Sequence, residues 1–107
     1  MKIAAIIEYI QDKEKIEATW PAHHAYRQGF LENGRLRAAG PFDDESGALW
    51  ILEVETIEEA DKIVKGDPFV AAGVSVSWKL RALSPVVVSP GKVPIKLSDP
   101  IQAKTYS

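Results

Sequence analysis

An α+β domain, one mostly antiparallel four-stranded sheet covered on one face by two helices, is what this chain of 107 residues predicts. Three observations carry that expectation. Strand and helix periodicities alternate along the chain in the order strand, helix, strand, strand, helix, strand. The hydrophobic fraction of 46% and the charged fraction of 26% are those of an ordinary globular protein, which argues for one core and against disorder or a coiled coil. Proline is unevenly spread, with Pro85, Pro90, Pro94 and Pro100 all beyond Ser84, where periodicity disappears. The folded domain is therefore assigned to residues 1–83 and a proline-rich tail to 84–107.

Residues 2–10 form the first strand. Ile3, Ala5, Ile7 and Tyr9 alternate with Ala4, Ile6 and Ile10, apolar on both sides as in a central strand. From Asp12 a helical stripe of Ile16, Trp20, His23, Arg27 and Phe30 recurs at spacings of three and four until Asn33-Gly34 closes it. Pro21 opens a second reading of that segment, a short turn at 13–19 followed by a helix from Pro21 to Asn33, which would place His23 in a first turn. Arg35 to Ala39 reads as a short strand, and Gly40-Pro41-Phe42-Asp43-Asp44-Glu45-Ser46-Gly47 as a hairpin-type connection.

Ala48 to Glu55 is a clear strand, with Ala48, Trp50, Leu52 and Val54 on one face and Leu49, Ile51, Glu53 and Glu55 on the other. Thr56-Ile57-Glu58-Glu59 is a capping box, so a helix begins at Ile57. Ile57, Ala60, Ile63 and Val64 give it one apolar face, and Gly66-Asp67-Pro68 stops it. A last strand covers 74–83, where Val74, Val76, Trp78, Leu80 and Ala82 oppose Ser75, Ser77, Lys79, Arg81 and Leu83. In the tail, Val86 to Val88 could add an edge strand, although prolines this dense favour extended backbone outside a ladder.

This element order is that of the ferredoxin-like βαββαβ unit. Right-handed crossovers put both helices on one side of the sheet and leave the other side bare. Leu49, Ile51 and Tyr9 make that bare face too apolar to sit comfortably in water. A homodimer is expected, two sheets meeting to form a dimeric α/β barrel.

Composition excludes several kinds of chemistry. The chain has no cysteine, which removes disulfides, thiolate nucleophiles and thiolate-bound metals. A formal charge of −2 with scattered Lys and Arg gives no footprint for nucleic acid or an anionic membrane. Glu8 ends the apolar run Ile3–Ile7 too early for a signal peptide, and no run approaches a spanning length, so a soluble, cytoplasmic protein is expected. The glycines match no phosphate-cradling pattern.

His23 is the first candidate for chemistry, because a histidine exchanges protons near neutral pH without a cofactor. In a first helical turn the positive end of the helix dipole would favour its neutral ring. The bland alternative is a helix-face histidine packed beside Trp20. His24 points about 100° away on a helix, so the two rings do not converge on a metal ion, and no metal is expected. Asp67 is the second candidate. Its structural role would be to cap a turn at Pro68-Phe69-Val70, and its functional role to accept a hydrogen bond from one ring nitrogen of His23 and steady the imidazolium. Glu53 with Glu55, and Asp43 with Asp44 and Glu45, could be paired carboxylates, but a strand edge and a turn suit solvated roles better.

Trp20-Pro21-Ala22-His23, then Gly34-Arg35-Leu36-Arg37-Ala38-Ala39-Gly40-Pro41, then Asp67-Pro68-Phe69-Val70-Ala71-Ala72-Gly73-Val74, together resemble the YCII-related protein family over about residues 1–83. The resemblance implies a ferredoxin-like fold pairing as a dimeric α/β barrel, with a histidine and an aspartate as a catalytic dyad at His23 and Asp67. It also implies a precedent for cofactor-free elimination, since one relative is a dehydrochlorinase acting on a chlorinated hydroquinone. Family members often carry arginine three residues before the histidine, where this chain has Trp20, and many carry a serine near the position of Ala48.

The first functional expectation is thus a lyase or isomerase without a cofactor. In it His23 moves a proton, Asp67 orients it, and Trp20, Tyr26 and Phe69 shape an apolar pocket for a small aromatic or lactone molecule. The second is a non-catalytic dimeric module that binds a small ligand or serves a partner. The third is an interaction domain with no ligand site.

Overall fold

Isoleucine and alanine on both sides of β1 (Lys2–Tyr9) suit it to the middle of a sheet, and there it lies. In the computed structural model, which describes residues 1–84 together with Val87, β1 runs antiparallel to β3 (Gly47–Glu53) on one side and to β4 (Ser75–Leu83) on the other. β2 (Leu36–Pro41) is the edge strand beyond β3, so the order is β2-β3-β1-β4 and every neighbouring pair is antiparallel. The expectations for the tail, an edge strand at Val86–Val88 among them, lie outside the described residues.

Register puts the core on one face. Ile3 lies opposite Leu52, Ala5 opposite Trp50 and Ile7 opposite Ala48, and all six are buried. Ala60, Ile63 and Val64 of α2 (Ile57–Lys65) close this layer, with Phe30 and Leu31 of α1 (Lys13–Glu32) packed against it. Thr56 caps α2 as its box predicts: the hydroxyl accepts from Glu59 N at 3.1 Å, while Glu59 reaches back to the amide of Glu55 at 3.0 Å. Trp78 Nε1 donates to Asp61 at 2.9 Å and ties α2 to β4.

Three expectations are corrected. α1 is one continuous helix with Pro21 inside it, capped by Asp12, rather than a turn followed by a second helix. Pro21 and Glu17 are both exposed, so water can satisfy the Glu17 carbonyl that loses its partner. His23 therefore sits roughly three turns inside the helix, beyond the reach of the terminal dipole. In β4 a bulge opposite Glu8 and Tyr9 inserts Val76, which is 52% exposed instead of joining the apolar face. Tyr9 lies on the covered face beside the core, not on the bare one.

The bare face still carries apolar surface. Ile6 and Leu49 are cross-strand partners with 40% and 37% of their surfaces exposed, flanked by Ala4 and Ile51, while Lys79 and Arg81 of β4 are exposed on the same side. Among the described residues no helix is long and apolar enough to cross a membrane.

Candidate active site

α2 ends at Gly66, and the chain turns through Asp67 into the short helix α3 (Pro68–Ala71). The turn explains Asp67 locally: its side chain accepts from Phe69 N at 2.9 Å, a helix N-cap, with proline at the first helical position where its missing N–H does no harm. The same carboxylate meets His23 from the middle of α1. His23 Nδ1 lies 2.9 Å from Oδ1 and 2.7 Å from Oδ2, and both side chains are 3% exposed. The cap and the contact with His23 are not alternatives, because one carboxylate makes both.

Burying a carboxylate is costly unless its oxygens are met by donors. Here the Phe69 amide and the His23 ring supply them. With Nδ1 donating to Asp67, the ring is held in one tautomer, and Nε2 has no hydrogen-bond partner among the described residues. His23 lines a cleft of about 370 Å³, so Nε2 is the nitrogen offered to whatever enters. The ring is clamped from the sides: Phe69 stacks on it at 3.8 Å between centroids with planes 4° apart, and Trp50 stands 6.2 Å away.

The rest of the cleft comes from the end of β1, the β2–β3 connection and the first half of α1. Trp20 lines it, 46% exposed, stacked on His24 at 4.6 Å and not on His23. Phe69 is a buried wall, meeting Tyr9 edge-on at 5.3 Å. Tyr26 is not part of the lining, contrary to expectation. Three residues after His23 it projects from the other flank of the stripe toward α2, where its hydroxyl donates to the Ile63 carbonyl at 2.7 Å under Gly66.

Tyr9, Arg27, Phe42 and Trp50 line the cleft and were missed as site residues. Strand alternation already put Tyr9 on the side of Ile3, Ala5 and Ile7, and Arg27 stood in the helical stripe with His23. A charged residue in an otherwise aromatic and apolar stripe was the available signal. Burial, and secondly the Asp67 carboxylate, push the Tyr9 phenol up to about 12, with the Arg27 guanidinium pulling the other way. Tyr9 is thus a neutral hydroxyl donor on the cleft wall.

Of the acidic groups that could pair as carboxylates, Glu53 and Asp44 have structural partners. Glu53 is held below the usual carboxylate range first by its hydrogen bond to Lys2, at 2.7 Å, and Asp44 by the Ser46 hydroxyl and amide in the β2–β3 turn. In that turn Glu45, on the cleft lining, holds a left-handed φ of 64°. Among the described residues no three His, Asp or Glu side chains lie close enough to share a metal ion.

A sequence model of the YCII-related domain matches residues 1–83. Among curated proteins, the chain is 35% identical over 63 residues to uncharacterized protein YjpA of Bacillus subtilis, a match covering 55% of this chain and 74% of that protein. It is 39% identical over 80 residues to protein YciI of Escherichia coli, covering 62% and 82% of the two chains. Among solved structures, 5-chloro-2-hydroxyhydroquinone dehydrochlorinase (TftG) of Burkholderia phenoliruptrix, in complex with 2,5-dihydroxybenzoquinone, superposes with a TM-score of 0.67 at 22% identity, over 78% of this chain and 93% of that one. That likeness is one of fold.

Proposed function

The chain belongs to the YCII-related domain family, and on that premise we propose that it is an enzyme working without a cofactor, moving a proton in the elimination or isomerisation of a small ring compound, aromatic or lactone. The observation that carries the reading is the buried His23–Asp67 pair on the wall of an aromatic cleft. Asp67 holds the ring so that the Nε2 lone pair faces the substrate. Nε2 removes a proton, and the electron pair left behind forms a double bond. In an elimination the leaving group departs with its own bonding pair, so the net loss is one acid molecule. In an isomerisation the proton returns at a different atom. The imidazolium formed in between is steadied by Asp67 and gives its proton up to the leaving group, the product or water.

Trp20, exposed on the lining, offers planar apolar surface to a ring, buried Phe69 and Trp50 back the wall behind it, and Tyr9 offers a hydrogen bond to a ring oxygen. The dehydrochlorinase is a precedent for elimination on this fold. Tyr26 has no part in the proposed chemistry.

The test is turnover on a panel of halogenated dihydroxybenzenes and enol lactones, read as halide release and as proton exchange in deuterium oxide. His23→Ala is expected to lower kcat/KM by about 100-fold or more, and Asp67→Asn by about tenfold or more with KM little changed. Both variants staying within tenfold of the parent would make the pair structural. Binding of panel members with no turnover would favour the alternative, a non-catalytic ligand-binding or accessory module.

The same proposal includes a homodimer. Exposed Ile6 and Leu49 at the centre of the bare sheet face, beside Ala4 and Ile51, support a second copy packing there to close a barrel.

A further inference from the structure

Arg27 follows His23 by one turn on the same flank of α1, and both line the cleft. Its guanidinium is only partly engaged. Nη2 donates to His24 Nδ1 at 3.1 Å, whereas Nε, buried, has no acceptor among the described residues. A cation with a buried unpaired N–H is rare enough in a native fold to require a reason, and a ligand oxygen is one.

The charges around it sharpen the point. The other charged residues of the lining, Asp12, Lys13, Glu17 and Glu45, are all exposed, so among the described residues Arg27 is its one half-buried cation. Behind the imidazole, Asp67 brings a negative charge to the same recess. Tyr9 registers both, since Asp67 pushes its phenol up and Arg27 pulls it down; the two charges bear on one stretch of wall. A ligand anion would be repelled by Asp67 unless a cation stood near enough to offset it.

From this geometry we infer that Arg27 sets the specificity of the cleft for a planar ring carrying an ionised oxygen, phenolate or carboxylate, which the guanidinium holds while the ring lies among Trp20, Trp50 and Phe69. The inference rests on the proposal that this cleft is the substrate site and adds the class of substrate. When the ligand arrives, the guanidinium turns from His24 to present Nε together with an Nη group, exchanging a neutral acceptor for charge-assisted hydrogen bonds. Lysine could supply the charge but not the planar fork.

The experiment is calorimetric titration of the full chain with benzoate, with 4-nitrophenolate and with neutral benzamide, for the parent, Arg27→Met and Arg27→Lys. Arg27→Met is expected to weaken at least one anion by about tenfold or more while leaving benzamide within about twofold, and Arg27→Lys to fall between. Sensitivity of benzoate alone assigns a carboxylate, and of nitrophenolate alone a phenolate. Anion affinity unchanged in Arg27→Met, an equal loss for all three compounds, or a parent protein that binds none of them overturns the inference. His23→Ala separates this from the proton-transfer proposal: it lacks the base and keeps the guanidinium, so an anion preference that persists there leaves Arg27 assigned, whereas turnover that stays within tenfold of the parent in that variant refuses the dyad chemistry.

Discussion

A carboxylate that caps a helix and one that orients an imidazole are usually different residues, and at Asp67 they are the same. Substitutions there have to be read with both jobs in mind. Asparagine can still cap α3 through its side-chain oxygen but carries no charge to steady an imidazolium, whereas alanine would lose the cap as well. Tyr9 carries the pH dependence that belongs to this scale. Its folded phenol, at about 12, lies above the ordinary 10.0, so the folded chain holds a proton that the unfolded chain has released. The resulting stability is whole below about pH 10 and is lost as pH rises through about 12. Tyr9→Phe is expected to flatten the alkaline fall in urea midpoint, with a residual slope from Tyr26, whose phenol burial also raises. Parallel alkaline limbs in the two proteins would remove Tyr9 from the account.

Elements were legible where local chemistry dominates. The Thr56-Glu59 box, the alternation of β3 and the two-sided apolar pattern of β1 each announce their structure, because capping and strand pairing use residues close in the chain or a period of two. Thr56→Ala should cost about 1 kcal/mol, lowering Tm by about 4–8 °C, and Thr56→Ser should restore most of it. An unchanged Tm in thermal unfolding would mean that packing against the sheet, not the cap, defines where α2 begins. Two elements defeated local reading. Pro21 stays inside α1 because the freed carbonyl faces water, and Val76 leaves the apolar row because β4 must slip one residue to pair with both Glu8 and Tyr9. Solvent exposure and strand register are properties of the assembled sheet, invisible to a periodicity.

For the whole molecule, the bare sheet face predicts association. Leu49→Lys places a charge at the centre of the apolar patch, opposite Ile6 and outside the cleft that His23 lines. It is expected to convert a dimer into a folded monomer in light scattering, and a parent protein that already runs as a monomer at tens of micromolar would end the pairing proposal. Amphipathic period and turn chemistry are written in neighbouring residues, and so the sequence by itself determined the order of the four strands and two longer helices, the ferredoxin-like sheet and the two candidates His23 and Asp67, while the short helix α3 was legible only as a turn. Only the tertiary structure decided that these two touch, that Tyr26 turns to α2 while Arg27 turns to the cleft, and that Tyr9 and Trp50 complete its walls. Those contacts join α1, β1, β3 and the α2–α3 junction across gaps of tens of residues, and what closes such gaps is the shared core, which no local window contains.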